Sequence, residues 1–452
     1  MKSGNRPQTA PWAALGLALA LGACGGDGPA PPPSIVLISL DTLRADHTGF
    51  LGYGRDTTPN LDRLAQEGVV FERAFATSCW TLTSHMGMLT GLYPEQHGVV
   101  SANAALNPKV PLLAERLRQR GYTTMALFEF GWIHERHGFD RGFDVFRPHR
   151  DAEQAEQHLA EELGRLEGDR PFFLFLHLFD IHCDPLLAED GVFYDPPEPF
   201  DRRYREDAPE ALRGIDFKQA LAEPGVLDAD QLDALVAMYD GGIRYADGKV
   251  GAWLADWRER GLLDRAVLFV TADHGEALGQ RAGELDEHGG MYQEGLRVPL
   301  LVRFPDGRHA GERRTHAVNS VDLVPTVLEL AGAEPDPRLP GYPLFGSRPA
   351  DSVMAAMLGD DFALMQWPWK VRGSGQDVVL YELERDPGET RPIPVASPEG
   401  SRAYGAMHND FRRERDGLAP LEAPAGTATQ MTQEALEMLR AIGYAGHLEE
   451  DG

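Results

Sequence analysis

Three short stretches carry residue types able to do chemistry together. In "TADHG" a carboxylate and an imidazole, Asp273 and His274, stand side by side, and in "SIVLISLD" Asp41 closes an apolar run. In "CWTLTSHMGMLTG", residues 79–91, a cysteine, the hydroxyls of Thr81, Thr83 and Ser84, and His85 precede a glycine. Two carboxylates and an imidazole suit a divalent cation of the zinc or manganese kind, whereas an all-oxygen set suits calcium or magnesium. Each residue alone has a plainer reading: Asp41 as a helix cap, His274 as a loop residue, one hydroxyl as an N-cap. Three such groups at strand ends favour the metal. A hydroxyl at the start of a helix meets unpaired N–H groups and the positive end of the helix dipole. Beside a metal it can ionise and attack an anionic centre cradled by the same amides. Residue types alone leave Cys79, Thr81, Thr83 and Ser84 all open as the attacking group.

These residues need elements that bring them to one place. Continuous apolar runs at 34–41, 123–130, 171–180, 266–275 and 298–304 read as strands buried on both faces, as in a parallel sheet covered by helices. Helical patterns lie between them: "PNLDRLAQEG" starts at Pro59 and stops at Gly68, "PLLAERLRQRG" stops at Gly121, and a long segment near 228–260 stops at Gly261. The alternation predicts an α/β sandwich with a mostly parallel central sheet. Ligands gather beyond the carboxyl ends of such strands, where Asp41, His177, His182, Asp273 and His274 fall, and Gly275 eases a turn there. Past residue 345, "ALMQWPWKVRGSGQDVVLYELERDP" (363–387) reads as two strands around a Gly-Ser-Gly turn, and Thr432 is placed to cap a final helix. A small α+β subdomain is expected over 346–452.

The 452-residue chain has a net charge of -27, which repels nucleic acid. An anionic substrate must then be drawn in by a local device such as a metal or a helix N-terminus. Residues 1–24 stand apart. Lys2 and Arg6 precede the apolar run "APWAALGLALALGAC", which is short for a membrane span and right for an export signal. The run ends in Leu21-Gly22-Ala23-Cys24, and a Gly/Pro linker covers 25–33. This pattern resembles the lipobox of bacterial lipoproteins. It predicts an exported chain held to the periplasmic side of the inner or outer membrane through a lipid on Cys24. Loss of Lys2 and Arg6 with the signal takes the charge from -27 to -29. Cys79 and Cys183 then remain, either paired or as two free thiols.

Several longer motifs, in order, resemble the sulfatase family of the alkaline phosphatase superfamily. They are "ISLDTLRADHTGFLGYGRDTTPNLDRLAQEGVVFERAFA", "CWTLTSHMGMLTGLYPEQHG", "TADHGE", "YQEGLRVPLLVRFP" and "DLVPTVLELAG". The likeness covers 34–345, and "LYELERDPGET" (380–390) resembles the family's C-terminal segment. The resemblance implies an alkaline-phosphatase-like catalytic domain over 34–345. The family signature is Cys or Ser, any residue, Pro, Ser, Arg, three residues of any kind, then Leu-Thr-Gly. Anchored on Leu89-Thr90-Gly91, it places Ser84 at the serine, His85 at the arginine, Thr83 at the proline and Thr81 at the nucleophile. Cys79 falls two residues too early.

By the same resemblance Asp41, Asp273 and His274 match metal ligands, with Thr81 as a further one. Thr42 stands where many sulfatases carry a second acid, which together with His274 favours one zinc or manganese ion over calcium or magnesium. His182 in "FDIHCDP" corresponds to a substrate-contacting histidine. His288, four residues before Tyr292, lies near the place of a sulfate-binding lysine. His85 and His288 thus stand in for permanently charged groups, so anion binding is expected to weaken above about pH 6.5 unless neighbours shift them. Arg44 offers a fixed charge, and His97 and His177 are equally open to structural and functional roles. Family sulfatases convert the Cys or Ser to formylglycine, which a threonine is not expected to form. Relatives that transfer phosphoryl groups use threonine unmodified. The expectation is a metal-dependent hydrolase or transferase of small anionic esters, phosphate mono- or diesters ahead of sulfate esters. The alternative from another class is a catalytically silent surface lipoprotein.

Overall fold

In the computed structural model the described residues are 31–183 apart from 130 and 167, 193–418 apart from 282, 284, 287–289 and 375–376, and 426–427. The export segment with Cys24, His288 and the helix expected after Thr432 lie outside the described residues.

The centre is an eight-stranded sheet in which the five predicted apolar runs form five strands, joined by three that were not predicted, at 69–71, 145–149 and 312–314. In chain order its strands are β1 (Ser34–Leu40), β2 (Val69–Phe71), β3 (Thr123–Glu129), β4 (Val145–His149), β5 (Phe172–Leu178), β6 (Ala266–Thr271), β7 (Leu300–Arg303) and β8 (Glu312–Arg314). Their spatial order is β8-β2-β7-β6-β1-β5-β3-β4. From β6 to β4 every pairing is parallel, and β7 runs antiparallel to both β2 and β6. Every residue of β1, β5 and β6 is buried, as a two-faced apolar run requires. The register sets the site: Ser39 is level with His177 on one side and Thr271 on the other. The chain therefore leaves β1 at Asp41 and β6 at Asp273 along one edge of the sheet.

Helix α1 (Pro59–Glu67) starts with proline in its first turn, where a missing N–H is harmless. Helix α2 (Thr81–Thr90) is buried along its whole length and ends at Gly91, in the left-handed region at φ 73. Helix α3 (Ala229–Glu259) is capped by Asp228, whose carboxylate accepts from the Asp230 and Gln231 N–H groups. The short helix α4 (Gln293–Leu296) precedes β7.

A second, antiparallel sheet follows in the order β9 (Met354–Leu358), β10 (Asp361–Gln366), β11 (Trp369–Ser374), β12 (Asp377–Glu382) and β13 (Ile393–Pro394), with helix α5 (Pro398–Asp416) after it. The segment 363–387 thus contributes to three strands where two were expected. The strands on either side of Gly373-Ser374-Gly375 pair as predicted, Ser374 level with Asp377. The apolar residues before Trp367-Pro368 form a strand of their own, because proline has no N–H to continue a ladder. In β11, Lys370 is sealed from solvent and pairs with Glu389 at 2.7 Å.

Candidate metal and nucleophile site

Asp41, Asp273 and His274 are fully buried, and each offers a ligand atom within 4.8 Å of the others. The chain orients each one from behind. Asp41 Oδ2 accepts from His177 Nε2 at 2.8 Å, which leaves Oδ1 with no hydrogen-bond partner. Asp273 Oδ1 accepts from the N–H groups of His274 (2.9 Å) and Thr42 (3.3 Å), which leaves Oδ2 without one. His274 Nδ1–H donates to the Gly275 carbonyl at 2.8 Å, so the ring turns Nε2 inward. That nitrogen lies 3.4 Å from Asp273 Oδ2 and 3.9 Å from Asp41 Oδ1.

Two orphaned buried carboxylate oxygens facing one imidazole nitrogen fit a divalent cation. Without one the arrangement is expensive: burial drives Asp41 well above the ordinary carboxyl range, and the facing Asp273 carboxylate adds to the shift. Gly275 matters here for space rather than for a turn. Its N–H donates to the Gly295 carbonyl at 2.8 Å, and a Cβ would lie 2.0 Å from the Glu294 carbonyl oxygen.

Thr81 is the first residue of α2, and its Oγ1 lies 3.3 Å from His274 Nε2. The other candidate nucleophiles are engaged elsewhere. Ser84 Oγ donates to the Asp273 carbonyl (2.6 Å) and Thr83 Oγ1 to the Val99 carbonyl (3.1 Å). Cys79 is buried in an apolar cluster with Phe75, Met291, Leu296 and Met365. It and Cys183 are not joined in a disulfide.

His85 is fully buried beneath the site rather than displayed to a substrate. Its Nδ1–H donates to the Thr81 carbonyl (2.9 Å), and Nε2 accepts from Ser39 Oγ (3.0 Å). Burial pushes its pKa down to about 3, so the ring is neutral at physiological pH. The expected loss of anion binding above about pH 6.5 therefore does not come from His85. His177 is likewise lowered by burial, to about 4. His182 stacks on Phe179 with ring centroids 4.0 Å apart, and its Nδ1–H donates to the Cys183 carbonyl. Burial lowers it to about 3.

Arg44 does not join these residues. Its Nε and Nη2 grip Asp46 at 3.0 and 2.7 Å and its Nη1 donates to the Glu276 carbonyl at 3.0 Å. With Asp46, Arg281, Glu294 and Arg297 it lines a cavity of about 670 Å³, whose lining includes none of the metal-site residues. His97 accepts from the Val99 N–H at 3.0 Å, a local loop role.

Two supporting residues were missed by sequence reasoning. Ser39 has a signal in retrospect, a hydroxyl inside an otherwise apolar strand. Tyr239 has none: its hydroxyl donates to the Thr42 carbonyl at 2.7 Å from the middle of α3. Thr42 itself sits at φ 54, a conformation that costs a β-branched residue about 1–2 kcal/mol.

The sulfatase family profile matches residues 33–333. Human N-acetylgalactosamine-6-sulfatase is 24% identical over 476 residues, covering 88% of each chain. A multifunctional alkaline phosphatase superfamily protein of Trinickia caryophylli is 27% identical over 388 residues, covering 67% of this chain and 74% of its own. Among solved structures, a phosphonate monoester hydrolase of Agrobacterium radiobacter superposes with a TM-score of 0.68 at 19% identity, covering 88% of this chain and 100% of its own. A structure in complex with its substrate D-glucosamine-2-N,6-O-disulfate superposes with a TM-score of 0.67 at 18% identity, covering 85% of this chain and 98% of its own. These two likenesses establish the fold.

Proposed function

Because the chain belongs to the sulfatase family of hydrolases, within the alkaline phosphatase superfamily, we propose that it hydrolyses phosphate mono- or diesters with Thr81 as nucleophile. The observation that carries this reading is Thr81 Oγ1 at the first position of α2, 3.3 Å from His274 Nε2 and beside the two orphaned carboxylate oxygens. Asp41, Asp273, His274 and Thr81 would hold one divalent ion, and the mixed imidazole and carboxylate set favours zinc or manganese. The chemistry such an ion supplies is a lowered hydroxyl pKa and neutralisation of phosphoryl oxygen charge.

The chain does the rest. The first-turn N–H groups of α2 and its dipole favour an anion in front of Thr81. Thr81 Oγ gives up its proton and bonds to phosphorus as the ester oxygen leaves with a proton, and water then cleaves the phospho-threonine to return Thr81 with phosphate from a monoester or a phosphate monoester from a diester. We assign the proton transfers to His182. With Nδ1–H engaged by the Cys183 carbonyl, Nε2 is the atom that would exchange a proton. His85 positions rather than reacts: it ties the Thr81 carbonyl to Ser39. We also carry forward from the sequence the export signal and lipid on Cys24. Radiolabelled palmitate on the wild-type protein but not on Cys24→Ser tests that; label on both overturns it.

The second reading, a sulfuric ester hydrolase, is favoured by the names of relatives such as N-acetylgalactosamine-6-sulfatase. One assay separates the two. The protein, supplied with zinc or manganese, is given p-nitrophenyl phosphate, a bis-aryl phosphate diester and p-nitrophenyl sulfate. Phosphate-ester turnover should prevail and fall at least about a thousandfold in Thr81→Ala. Sulfate turnover that survives Thr81→Ala would assign the nucleophile elsewhere, and turnover of no ester would return the silent lipoprotein.

A further inference from the structure

How Asp273 presents its free oxygen depends on Thr42, and Thr42 is held by a residue 197 positions away in sequence. Thr42 is sealed from solvent at φ 54, in the left-handed region that β-branched residues avoid. Its own side chain does not support that conformation, since Oγ1 has no hydrogen-bond partner. The support is one phenol. Tyr239 O–H donates to the Thr42 carbonyl at 2.7 Å and accepts from the Arg44 N–H at 3.0 Å. The loop is thereby clamped on both sides of Leu43, whose N–H returns to the Leu40 carbonyl at 3.2 Å.

Tyr239 itself has little latitude. It is 0% exposed, and the carboxylate of the next residue, Asp240, accepts from His47 Nδ1 (2.7 Å), Tyr53 (2.6 Å) and Arg55 (2.8 Å). The consequence reaches the metal site through one bond. In its left-handed turn Thr42 points its N–H at Asp273 Oδ1, 3.3 Å away. Together with the His274 N–H this occupies Oδ1 twice, so Oδ2 is the oxygen turned toward Asp41 and His274.

We propose that Tyr239 is a positioning residue of the metal centre: its hydroxyl holds Thr42 in the left-handed conformation, and Thr42 in turn fixes which Asp273 oxygen meets the metal. The proposal rests on the reading of Asp41, Asp273 and His274 as a metal site. It predicts a specific dependence. A residue that adopts positive φ freely needs no clamp, so glycine at position 42 makes the Tyr239 hydroxyl dispensable.

The test titrates zinc and manganese into the metal-stripped full chain by calorimetry, with Tm recorded for every protein. Four proteins are compared: wild type, Tyr239→Phe, Thr42→Gly and the double variant. Tyr239→Phe should weaken metal binding by about 10- to 100-fold, the scale of losing a group that orients a ligand. Thr42→Gly keeps the backbone N–H that meets Asp273 and sets the reference, and the double variant should bind to within about threefold of it. Equal losses from Tyr239→Phe in both backgrounds would overturn the proposal, as would unchanged affinity in Tyr239→Phe. If Tyr239→Phe fails to fold but the double variant folds and binds metal, the clamp is supported. If neither folds, Tyr239 serves the fold alone and the proposal falls. Wild-type protein that binds neither metal would defeat the metal-site reading itself, an outcome distinct from all of these.

Discussion

Two of the buried charge clusters among the described residues are built on opposite principles. In the second sheet Lys370 and Glu389, each with a side chain 0% exposed, meet at 2.7 Å, and the other Glu389 oxygen accepts the Gln293 N–H at 2.6 Å. That cluster brings its own cation. At the edge of the central sheet Asp41 and Asp273 face each other with an imidazole between them, and each keeps one oxygen unpartnered. Burying charge is tolerable only when it is paired and hydrogen-bonded. The first cluster supplies the opposite charge from within the chain, as an ion pair at 2.7 Å without an aligned hydrogen bond; the second is balanced only when a cation arrives from outside. Burial alone therefore does not mark a candidate site; facing buried carboxylates with no lysine or arginine paired to them do.

Substitution should expose the contrast most strongly at Asp273. Asp273→Asn keeps Oδ1 as an acceptor and puts an N–H₂ where the orphaned oxygen was, able to donate toward Asp41. Ester turnover should fall about a thousandfold or more, and bound metal by elemental analysis should drop below stoichiometric. The Tm of the metal-free protein should nonetheless match or exceed wild type, because one of two facing carboxylates is gone. A lower Tm would show that Asp273 carries the fold as well as the site. Lys370→Met should behave in the opposite way. It strands the Glu389 carboxylate, so urea unfolding should show a loss of about 3–5 kcal/mol. Lys370→Met with Glu389→Gln should regain much of that. A double variant as unstable as the single one would mean the two residues act separately.

The same contrast explains what could be read before the fold was known. The central sheet was legible because runs such as "SIVLISL" and "FFLFLHL" are apolar on both faces, which only a covered strand allows. The candidate metal residues stood out because Asp41 and the Asp273-His274 pair interrupt apolar character where strands end. Thr81 was reached only through register with a family signature. Its place beside His274 depends on how α2 lies against the sheet, which spacing does not encode. The same limit applies to His85. Sequence places it at the signature arginine but does not show that its helix turns that face inward onto Ser39 and the Phe175 ring, 5.7 Å away. Arg44 reads as a fixed charge until Asp46, two residues on, is seen to neutralise it. Tyr239 sits in a long helix whose pattern gives no hint that one hydroxyl reaches a loop so distant in the chain.

Acid should act through buried histidines, both at the metal cluster, where His85, His177 and His182 are lowered to about 3 to 4, and away from it. His97, His137 and His149 are buried, and burial lowers each to about 3. Unfolded histidine titrates near 6.5, so between about pH 3 and 6.5 the unfolded chain binds more protons than the folded one. Their contribution is fully present at pH 7.5 and falls by about 1.4 kcal/mol per group for each unit below 6.5. Urea unfolding at pH 7.5 and 5.5 should show a loss of roughly 4 kcal/mol from these three. The same loss is expected in the Lys370→Met, Glu389→Gln double variant. A flatter slope there would place the acid sensitivity in the ion pair instead.

The smallest expected effect concerns how finely the outside-paired cluster is aimed. His177 donates from Nε2 to Asp41 Oδ2 at 2.8 Å, and burial holds it neutral with a pKa of about 4. It contributes a directed N–H rather than a charge. His177→Leu removes that donor and leaves both Asp41 oxygens unpartnered, free to rotate between one-oxygen and two-oxygen ligation. Zinc affinity by calorimetry should weaken about 10- to 100-fold. His177→Gln, with an N–H of similar reach, should recover to within about threefold of wild type. Equal losses in the two variants would mean the imidazole matters for its volume. No loss in either would mean that the backbone leaving β1 aims Asp41 unaided, and only Asp273 would then need orienting from behind.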